Sequence, residues 1–462
     1  MNTEAILPSS FRDPSGFLFS HNNKVYRQIN SSYQENYEYL IDSGLYSELE
    51  AENLLISHTE VSPPLSPAPN HYKTILPEQI DFISYPYEWC FHQLKDAALT
   101  TLEIQKISLK FGMSLKDASA YNIQFHNGRP IFIDTLSFEK FQEGRPWVAY
   151  RQFCQHFFGP LALMNFKDTR LGLLSRTFID GVPLDLASAL LPWYTYLKLP
   201  FLLHIHIHAR SQKHYQDKKT PKTSGNVSTK GLTGIFDSLE SAIGRMQCKM
   251  DGTEWGDYYK NTNYKDSAMA HKEELVSEFL KTIAPKPKRI WDIGANEGIF
   301  SRIAAGLGAK VVSADVDEMA LQKNTITDIK LKETNILPLK IDLANPSPAL
   351  GWGHKERMSF MERGPADAVL ALALLHHLAI TNNLPLEQVA SFFQSLTHWL
   401  IIEFVPKNDS QVQRLLSSRE DIFTEYSQHN FENQFRKYFR IEKQEKINSS
   451  DRTLYLMEST EN

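Results

Sequence analysis

Short apolar or β-branched runs alternate with helical patterns from residue 287 to the end of the chain. Parallel strands need long crossover connections, usually helices, so this alternation predicts βαβ units. The predicted strands are 289–293, 310–315, 337–341, 366–373 and 399–405. Two further alternating segments, Tyr438 to Ile447 and Thr453 to Met457, flank a polar turn and predict an antiparallel hairpin. The pattern therefore predicts an α/β fold with a mostly parallel sheet and a C-terminal hairpin.

The first predicted strand leads directly into a glycine-containing turn and then a helix. Asp292 lies near the end of the strand, Gly294 and Gly298 bracket the turn, and apolar residues recur at helical spacing from Ile299 to Leu307. Glycine permits a tight turn and close approach of a ligand, and ligands of open α/β sheets bind at the carboxyl ends of strands. The turn is neither the GxGxxG of a dinucleotide site nor a P-loop. Beside Asp292 we expect a ligand with a cationic or hydroxyl edge.

Acidic residues also end the next two predicted strands. Asp315 lies 23 residues after Asp292, and a carboxylate at that position can accept hydrogen bonds from both hydroxyls of a ribose. Asp342 follows the third strand, where a carboxylate can accept a hydrogen bond from an adenine amino group. The three acids at successive strand ends predict a nucleoside-containing ligand.

These motifs resemble the class I S-adenosylmethionine-dependent methyltransferases, roughly from Lys265 to Ser459. Within that range, 346–352 and 403–416 resemble methyltransferase-like proteins related to rhizobial nodulation proteins. The resemblance implies a Rossmann-like domain with S-adenosylmethionine as cofactor, and Asp292 beside its methionine amino end. Asn296 replaces the middle glycine of the usual DxGxGxG pattern, as in some members with a DxGAN loop. The implied cofactor-binding residues are Asp292, Gly294, Ala295, Asn296, Gly298, Asp315, Val316, Asp342 and Leu343.

Candidate catalytic residues follow the fourth predicted strand. His376 and His377 would lie beside the transferred methyl group, where a histidine can take a proton from an attacking hydroxyl or amine. Adjacent residues on an extended strand point to opposite faces, so we expect at most one histidine to face the site. Packing or loop capping is the alternative for each. Glu403, at the end of the fifth strand, either orders a substrate or pairs with Lys407.

The predicted function is methyl transfer to an O or N acceptor on a small molecule, a glycan-related metabolite or a protein. The alternative is a regulatory protein that binds a nucleotide or S-adenosylmethionine without catalysis. A formal charge of -5 disfavours a nucleic-acid partner. No metal site is predicted, because the three cysteines are scattered and His204, His206 and His208 lack an acidic or thiol neighbour in sequence.

The N-terminal 210 residues predict an α+β domain. A hairpin is expected over residues 17–29, a long amphipathic helix over 90–111, and a second hairpin around the turn Asn127-Gly128. Asp117 and Asn122, with four residues between them, precede this second hairpin, and Asp134 follows it.

That order resembles the catalytic region of protein-kinase-like and aminoglycoside-phosphotransferase-like folds. The resemblance implies Asp117 as a base and Asn122 and Asp134 as Mg²⁺ ligands for ATP. Arg27 stands at the strand position of the phosphate-binding lysine. However, the sequence of the N-terminal 210 residues has no glycine-rich loop, and Lys116 precedes Asp117 where the families have Arg or Gly. Substrate recognition or regulation on a kinase-like scaffold is therefore favoured over phosphotransfer.

Composition sets the expected boundaries. The segment Ser211 to Gly231 is rich in Lys, Ser, Thr and Gly, which is typical of a flexible linker. The predicted order is an α+β domain (1–210), a linker (211–231), a connecting aromatic and helical segment (232–264) and the methyltransferase domain (265–462).

The most apolar stretch, Val182 to Ile207, is interrupted by prolines and charged residues. It falls short of the roughly 18 uninterrupted apolar residues that a membrane-spanning helix needs. We expect buried helices there and no membrane span. The first residues lack the basic and apolar regions of a signal peptide. A cytoplasmic location is expected.

Overall fold

The computed structural model describes residues 5–62, 65, 68–210, 227–248, 266–417 and 420–461. The chain forms two compact units. The first contains Met1–Lys249 together with Leu350–Arg357, and the second contains Met250–Ala349 together with Met358–Asn462. Among the described residues, no helix is both long enough and apolar enough to cross a lipid bilayer.

The division between the units differs from the predicted boundary at residue 210. The helix Thr229–Arg245 packs against the helix Phe91–Lys110 of the first unit, and Lys106 Nζ lies 2.7 Å from a carboxylate oxygen of both Asp237 and Glu240. Residues 229–231, predicted as linker, are the first turn of this helix. Residues 211–226 of the predicted linker and residues 249–264 of the predicted connecting segment lie outside the described residues.

The first unit has an antiparallel five-stranded sheet of order β1-β2-β3-β5-β4, and two pairs, β6 with β9 and β7 with β8. Its strands are β1 (Ala5–Ile6), β2 (Gly16–His21), β3 (Lys24–Asn30), β4 (His58–Glu60), β5 (His71–Pro77), β6 (Met113–Leu115), β7 (Ile123–His126), β8 (Arg129–Phe132) and β9 (Phe138–Lys140). Its longer helices are α1 (Gln34–Asp42), α2 (Leu45–Ala51), α3 (Phe91–Lys110), α4 (Gly159–Phe166), α5 (Leu184–Leu190) and α6 (Thr229–Arg245).

Three local predictions for this unit are confirmed. The first hairpin is β2–β3, and the long helix is α3. The second hairpin is β7–β8, and its turn residues Asn127 and Gly128 have φ values of 49° and 75°. Positive φ at both positions matches the right-handed twist of hairpin strands, and Asn-Gly accommodates it at little steric cost.

The apolar stretch Val182 to Ile207 is only partly buried. Phe201 and Ile205 pack inward as expected, but Trp193, Leu197 and Leu199 are strongly exposed. The expectation of buried helices therefore holds for only part of the stretch. The segment forms short helical turns at Trp193–Leu197 and Leu199–Phe201, the first after a proline and the second after an extended residue. Among the described residues, no element covers the outer side of these turns.

The second unit is built on a seven-stranded sheet of order β12-β11-β10-β13-β14-β16-β15. The first five strands of that order are parallel, while β16 runs antiparallel to both β14 and β15. The strands are β10 (Arg289–Ile293), β11 (Lys310–Asp315), β12 (Ile336–Lys340), β13 (Ala366–Ala371), β14 (Thr397–Phe404), β15 (Phe439–Lys446) and β16 (Thr453–Ser459). This arrangement confirms the predicted mostly parallel α/β sheet with a C-terminal antiparallel hairpin.

Helices cover the sheet of the second unit. They are α7 (Asp266–Thr282), α8 (Ile299–Gly306), α9 (Glu318–Leu331), α10 (Leu386–Leu396), α11 (Ser410–Leu416) and α12 (Gln428–Phe435). Phe279 of α7 and Phe300 of α8 pack with Val311 of β11, Leu370 of β13 and Ile401 of β14 in one buried core. Burial of each such side chain stabilises the fold by about 1.5–3 kcal/mol, which holds the carboxyl ends of β10, β11 and β12 along one edge.

Candidate functional site

The turn that joins β10 to α8 is held in a left-handed conformation. Gly294, Asn296 and Gly298 have φ values of 78°, 49° and 77°. The amides of Gly294 and Ala295 both donate to the Ala314 carbonyl of β11, at 2.8 and 3.0 Å. A Cβ at position 298 would lie 2.2 Å from Asn324 Oδ1, so glycine is required there by both φ and space.

Asp315 closes this turn from the neighbouring strand. Its carboxylate accepts hydrogen bonds from the amide of Asn296 at 2.7 Å and from that of Asp317 at 2.8 Å. Burial raises the pKa of Asp315 to about 6. A carboxylate has about four acceptor sites, so Asp315 can serve a ligand hydroxyl as well. The sequence predicted only a ligand contact and missed this role in fixing the turn.

Asp292 is buried behind the turn. Ser301 Oγ donates to its Oδ2 at 2.6 Å and lies 2.8 Å from Ser313 Oγ. Burial is the main cause that raises the pKa of Asp292 to about 6, and the charge of Asp315 adds to it. Two desolvated carboxylates of raised pKa at one strand edge are typical of a functional site.

The remaining predicted cofactor residues lie at the same end of the sheet. Val316 directly follows Asp315 and is 53% exposed. Asp342 is exposed two residues beyond β12, and its Oδ1 accepts a hydrogen bond from the Ala344 amide at 2.9 Å. Leu343 beside it is half-buried.

The two candidate catalytic histidines do not lie on a strand. β13 ends at Ala371, the chain turns at Ala373 with a φ of 50°, and His376 and His377 follow on a helical turn. Their ring centroids are 4.2 Å apart, so the expectation that they point to opposite faces was wrong. The sequence missed the turn because the apolar pattern of the strand continues through it.

Burial disfavours the protonated form of both histidines. Burial lowers the pKa of His376 well below its usual value and lowers that of His377 to about 4. His376 is 2% exposed, and its Nδ1 has no hydrogen-bond partner among the described residues. A neutral imidazole has one nitrogen that can accept a proton.

Glu403 is the centre of a buried ionic network. It is fully buried, and it accepts hydrogen bonds from Lys272 Nζ at 2.6 Å and from the Ala373 amide at 2.9 Å. Arg452, the residue before β16, has its Nη1 3.4 Å from Glu403 Oε1. Its Nε lies 2.8 Å from Asp409 Oδ2. The predicted alternative, a pair with Lys407, was wrong, since Lys407 binds Asp421 instead.

Sequence reasoning missed Lys272 and Arg452. A signal was present for Lys272, because it shares the apolar side of α7 with Val276 and Phe279 at helical spacing. A lysine on such a side is rarely buried unless it is paired. Arg452 carried no comparable signal, since the polar turn before β16 predicts an exposed side chain.

The candidate residues of the first unit are also brought together. Asn122 Nδ2 donates to Ser137 Oγ at 3.2 Å, and Ser137 Oγ donates to Asp134 at 2.6 Å. Burial raises the pKa of Asp117, and the charge of Asp134 raises it further. Arg27 binds Asp134 at 2.8 Å, which places a cation beside the predicted metal-binding carboxylate.

The clustered histidines of the first unit pack against hydroxyl groups. His204 contacts Tyr150 at 2.6 Å, and His206 contacts Ser188 at 2.7 Å and Thr195 at 2.9 Å. No group of three or more His, Cys, Asp or Glu side chains that could hold a metal ion occurs in the described part of the chain.

The second unit has an α/β fold with five parallel strands and a C-terminal antiparallel hairpin, and the glycine-containing turn lies at the carboxyl ends of its strands. No family model matches the chain. It is 34% identical to the nodulation protein NoeA of Rhizobium meliloti strain 1021, over 98% of this chain and 96% of that protein. The chain belongs to the NoeA family.

Similarities to solved structures are more remote. The bifunctional kinase-methyltransferase WbdD is 14% identical over 46% of this chain and 43% of its own, with a TM-score of 0.31. The magnesium protoporphyrin IX methyltransferase ChlM from Synechocystis PCC 6803, with bound SAH, is 17% identical over 44% of this chain and 92% of its own, with a TM-score of 0.32. The match therefore spans less than half of WbdD.

Proposed function

We propose that the second unit transfers a methyl group from S-adenosylmethionine to an O or N acceptor on a small molecule, a glycan-related metabolite or a protein. The observation that carries the proposal is the turn Gly294–Gly298, closed by Asp315 where β10 and β11 end. The turn lies at the edge where α/β sheets bind nucleotides, and glycine at positions 294 and 298 allows a ligand to approach its backbone closely.

The glycines of the turn support this assignment. Gly294 is favoured by its φ of 78°, and a Cβ at position 298 would clash with Asn324. Asp315 would accept the ribose hydroxyls, and Asp342 the adenine amino group. Exposed Val316 and half-buried Leu343 offer apolar surface to the two faces of adenine. Asp292 would set a negative potential at the methionine amino end.

The chain's own residues then need only position an acceptor and remove its proton. S-adenosylmethionine supplies a methyl group that its sulfonium already activates. His376 and His377, adjacent on a helical turn, are the proposed proton acceptors. Glu403 and Lys272 hold the Ala373 turn from which both histidines project. A regulatory protein that binds S-adenosylmethionine without transfer would use the same turn but would not need the histidines.

Replacing Asp315 by alanine is expected to weaken binding of S-adenosylhomocysteine about ten- to a hundredfold, because it removes a charge-assisted acceptor worth roughly 1.5–3 kcal/mol. Asp315→Ala also leaves the amides of Asn296 and Asp317 without their acceptor, so the melting temperature of this variant is measured alongside. Val316→Asp is the companion variant: it alters an exposed side chain without disturbing the turn, and we expect it to weaken binding as well. Isothermal titration measures both.

Val148→Asp is the matched control, because Val148 is 62% exposed in the first unit. It should bind like the parent chain. If the parent shows no saturable heat with either S-adenosylmethionine or S-adenosylhomocysteine, the proposed function is wrong. If Val316→Asp binds as tightly as the parent, the cofactor lies elsewhere.

A second candidate function concerns the first unit: binding of Mg-ATP between Asp117, Asn122 and Asp134. The supporting observation is the desolvated Asp117, whose pKa is raised by burial and then by the charges of Asp134 and Asp13. Bound Mg²⁺ commonly uses one or two protein carboxylates and completes its shell with phosphates and water. Two carboxylates that disfavour each other's charge are suited to such a cation.

We expect Mg-ATP to raise the melting temperature by ligand linkage, and Asp117→Asn to abolish that rise. Asp117→Asn suits this test because it removes the charge but keeps a side-chain oxygen. That oxygen can still accept the hydrogen bond that the Ser119 amide donates to Asp117 at 2.9 Å. Asp180→Asn, at an exposed carboxylate of the same unit, is the control. An unchanged melting temperature of the parent at millimolar Mg-ATP would leave the motif as scaffold alone.

A further inference from the structure

The segment between α5 and residue 210 presents large apolar side chains to solvent. Trp193, Leu197 and Leu199 are 74%, 76% and 64% exposed. Leu203 and Ile207 follow Leu199 at intervals of four residues along the helical turns 199–207, and they too are exposed. These five residues are called the apolar face. Contiguous exposed apolar surface on a folded protein commonly marks an interaction site.

The apolar face rests on a packed support. The Phe201 ring lies 5.2 Å from that of Phe158 and 5.0 Å from that of Phe166. His206 stacks on Tyr196 with ring centroids 3.7 Å apart. The residues that alternate with the apolar face are therefore held in the core, and the exposed side chains are projected from a fixed backbone.

Two exposed cations lie beside the apolar face. Exposed Lys198 lies within it, with Nζ 4.9 Å from the Phe166 ring, and exposed Arg210 lies beside Tyr196. Cations next to exposed apolar side chains favour a surface with anionic groups above an apolar layer, as in a bilayer that contains anionic lipids.

We propose that the apolar face docks on a lipid bilayer that contains anionic lipids, lying in the interface without spanning it. Trp and Leu would enter the boundary between headgroups and acyl chains, where tryptophan is favoured. Lys198 and Arg210 would contact lipid phosphates. A second copy of the chain is a less suitable occupant, because an isologous contact would bring two positive neighbourhoods together.

The test is flotation of the purified full chain with vesicles. The parent should float with vesicles of phosphatidylglycerol and phosphatidylcholine, float less with phosphatidylcholine alone, and dissociate as salt is raised. The triple variant Trp193→Ser, Leu197→Ser, Leu199→Ser should bind at least about tenfold more weakly, since each change removes apolar surface that the bilayer would bury. Its melting temperature should match the parent's, because all three side chains are exposed.

Trp352→Ser is the matched control: Trp352 is 76% exposed but lies outside the apolar face. It should float like the parent. The proposal is overturned if the parent does not float with anionic vesicles or if the triple variant floats as well as the parent. It is equally overturned if the parent is a dimer in solution that the triple variant converts to a monomer without any vesicle binding, since the occupant is then a second copy.

Discussion

Glu403→Gln is expected to lower the free energy of unfolding of the second unit by about 3–5 kcal/mol, the usual cost of breaking a buried ion pair by removing one partner. The substitution keeps the volume of the side chain but leaves the Lys272 ammonium, 2.6 Å away and buried, without its charged partner. Burial already lowers the pKa of Lys272, and the Glu403 carboxylate is the main group that opposes this. Scanning calorimetry of the full chain measures the effect.

The effect should extend to the Ala373 turn. A non-glycine residue at a φ of 50° is strained, and the hydrogen bond from its amide to Glu403 helps to hold it. Glu387→Gln is the matched control, because Glu387 pairs with Lys437 on the surface and such pairs contribute at most about 1 kcal/mol. A loss at Glu403 no larger than that at Glu387 would mean that the network does not stabilise the unit.

Asp292→Asn is expected to raise the free energy of unfolding at pH 8 by about 3 kcal/mol, while weakening S-adenosylmethionine binding. The pKa of Asp292 is raised from 3.8 to about 6, chiefly by burial. Between those values the folded state holds a proton that the unfolded state has lost, so stability falls as pH rises, by about 1.4 kcal/mol per unit. Asparagine removes the buried charge and keeps an oxygen that can accept the Ser301 hydrogen bond.

The pH dependence distinguishes this mechanism from simple repacking. The gain should be full above pH 6 and should disappear near pH 4, where Asp292 is protonated in both states. Chemical denaturation at several pH values provides the measurement, with the exposed Asp421→Asn as control. A gain that does not change with pH, or no gain at pH 8, would show that the buried carboxylate does not carry a stability cost.

The sheet of the second unit could be predicted from sequence because each strand carries its own pattern. The predicted strand 310–315 coincides with β11, and the three acids lie at the same end of the sheet because β10, β11 and β12 are parallel neighbours. Gly294 and Gly298 were identifiable since left-handed backbone favours glycine.

Features that depend on partners distant in sequence could not be predicted in this way. Nothing local indicates that Asp315 holds the Asn296 amide, or that Glu403 meets Lys272, 131 residues earlier. The turn at Ala373 was hidden because alanine gives no warning of a positive φ. The first unit extends to α6 because Phe236 packs against Trp147, with ring centroids 5.2 Å apart, and that contact overrides the linker-like composition before it.

Hydrogen exchange of the full chain with and without S-adenosylhomocysteine tests most directly whether the turn after β10 is the cofactor site. Slower exchange is expected for amides 294–298 and 315–317 when the ligand is present at saturation, with the amides of the first unit unchanged. Protection confined to other residues, or no change at all at high micromolar ligand, would contradict the proposed methyltransferase site.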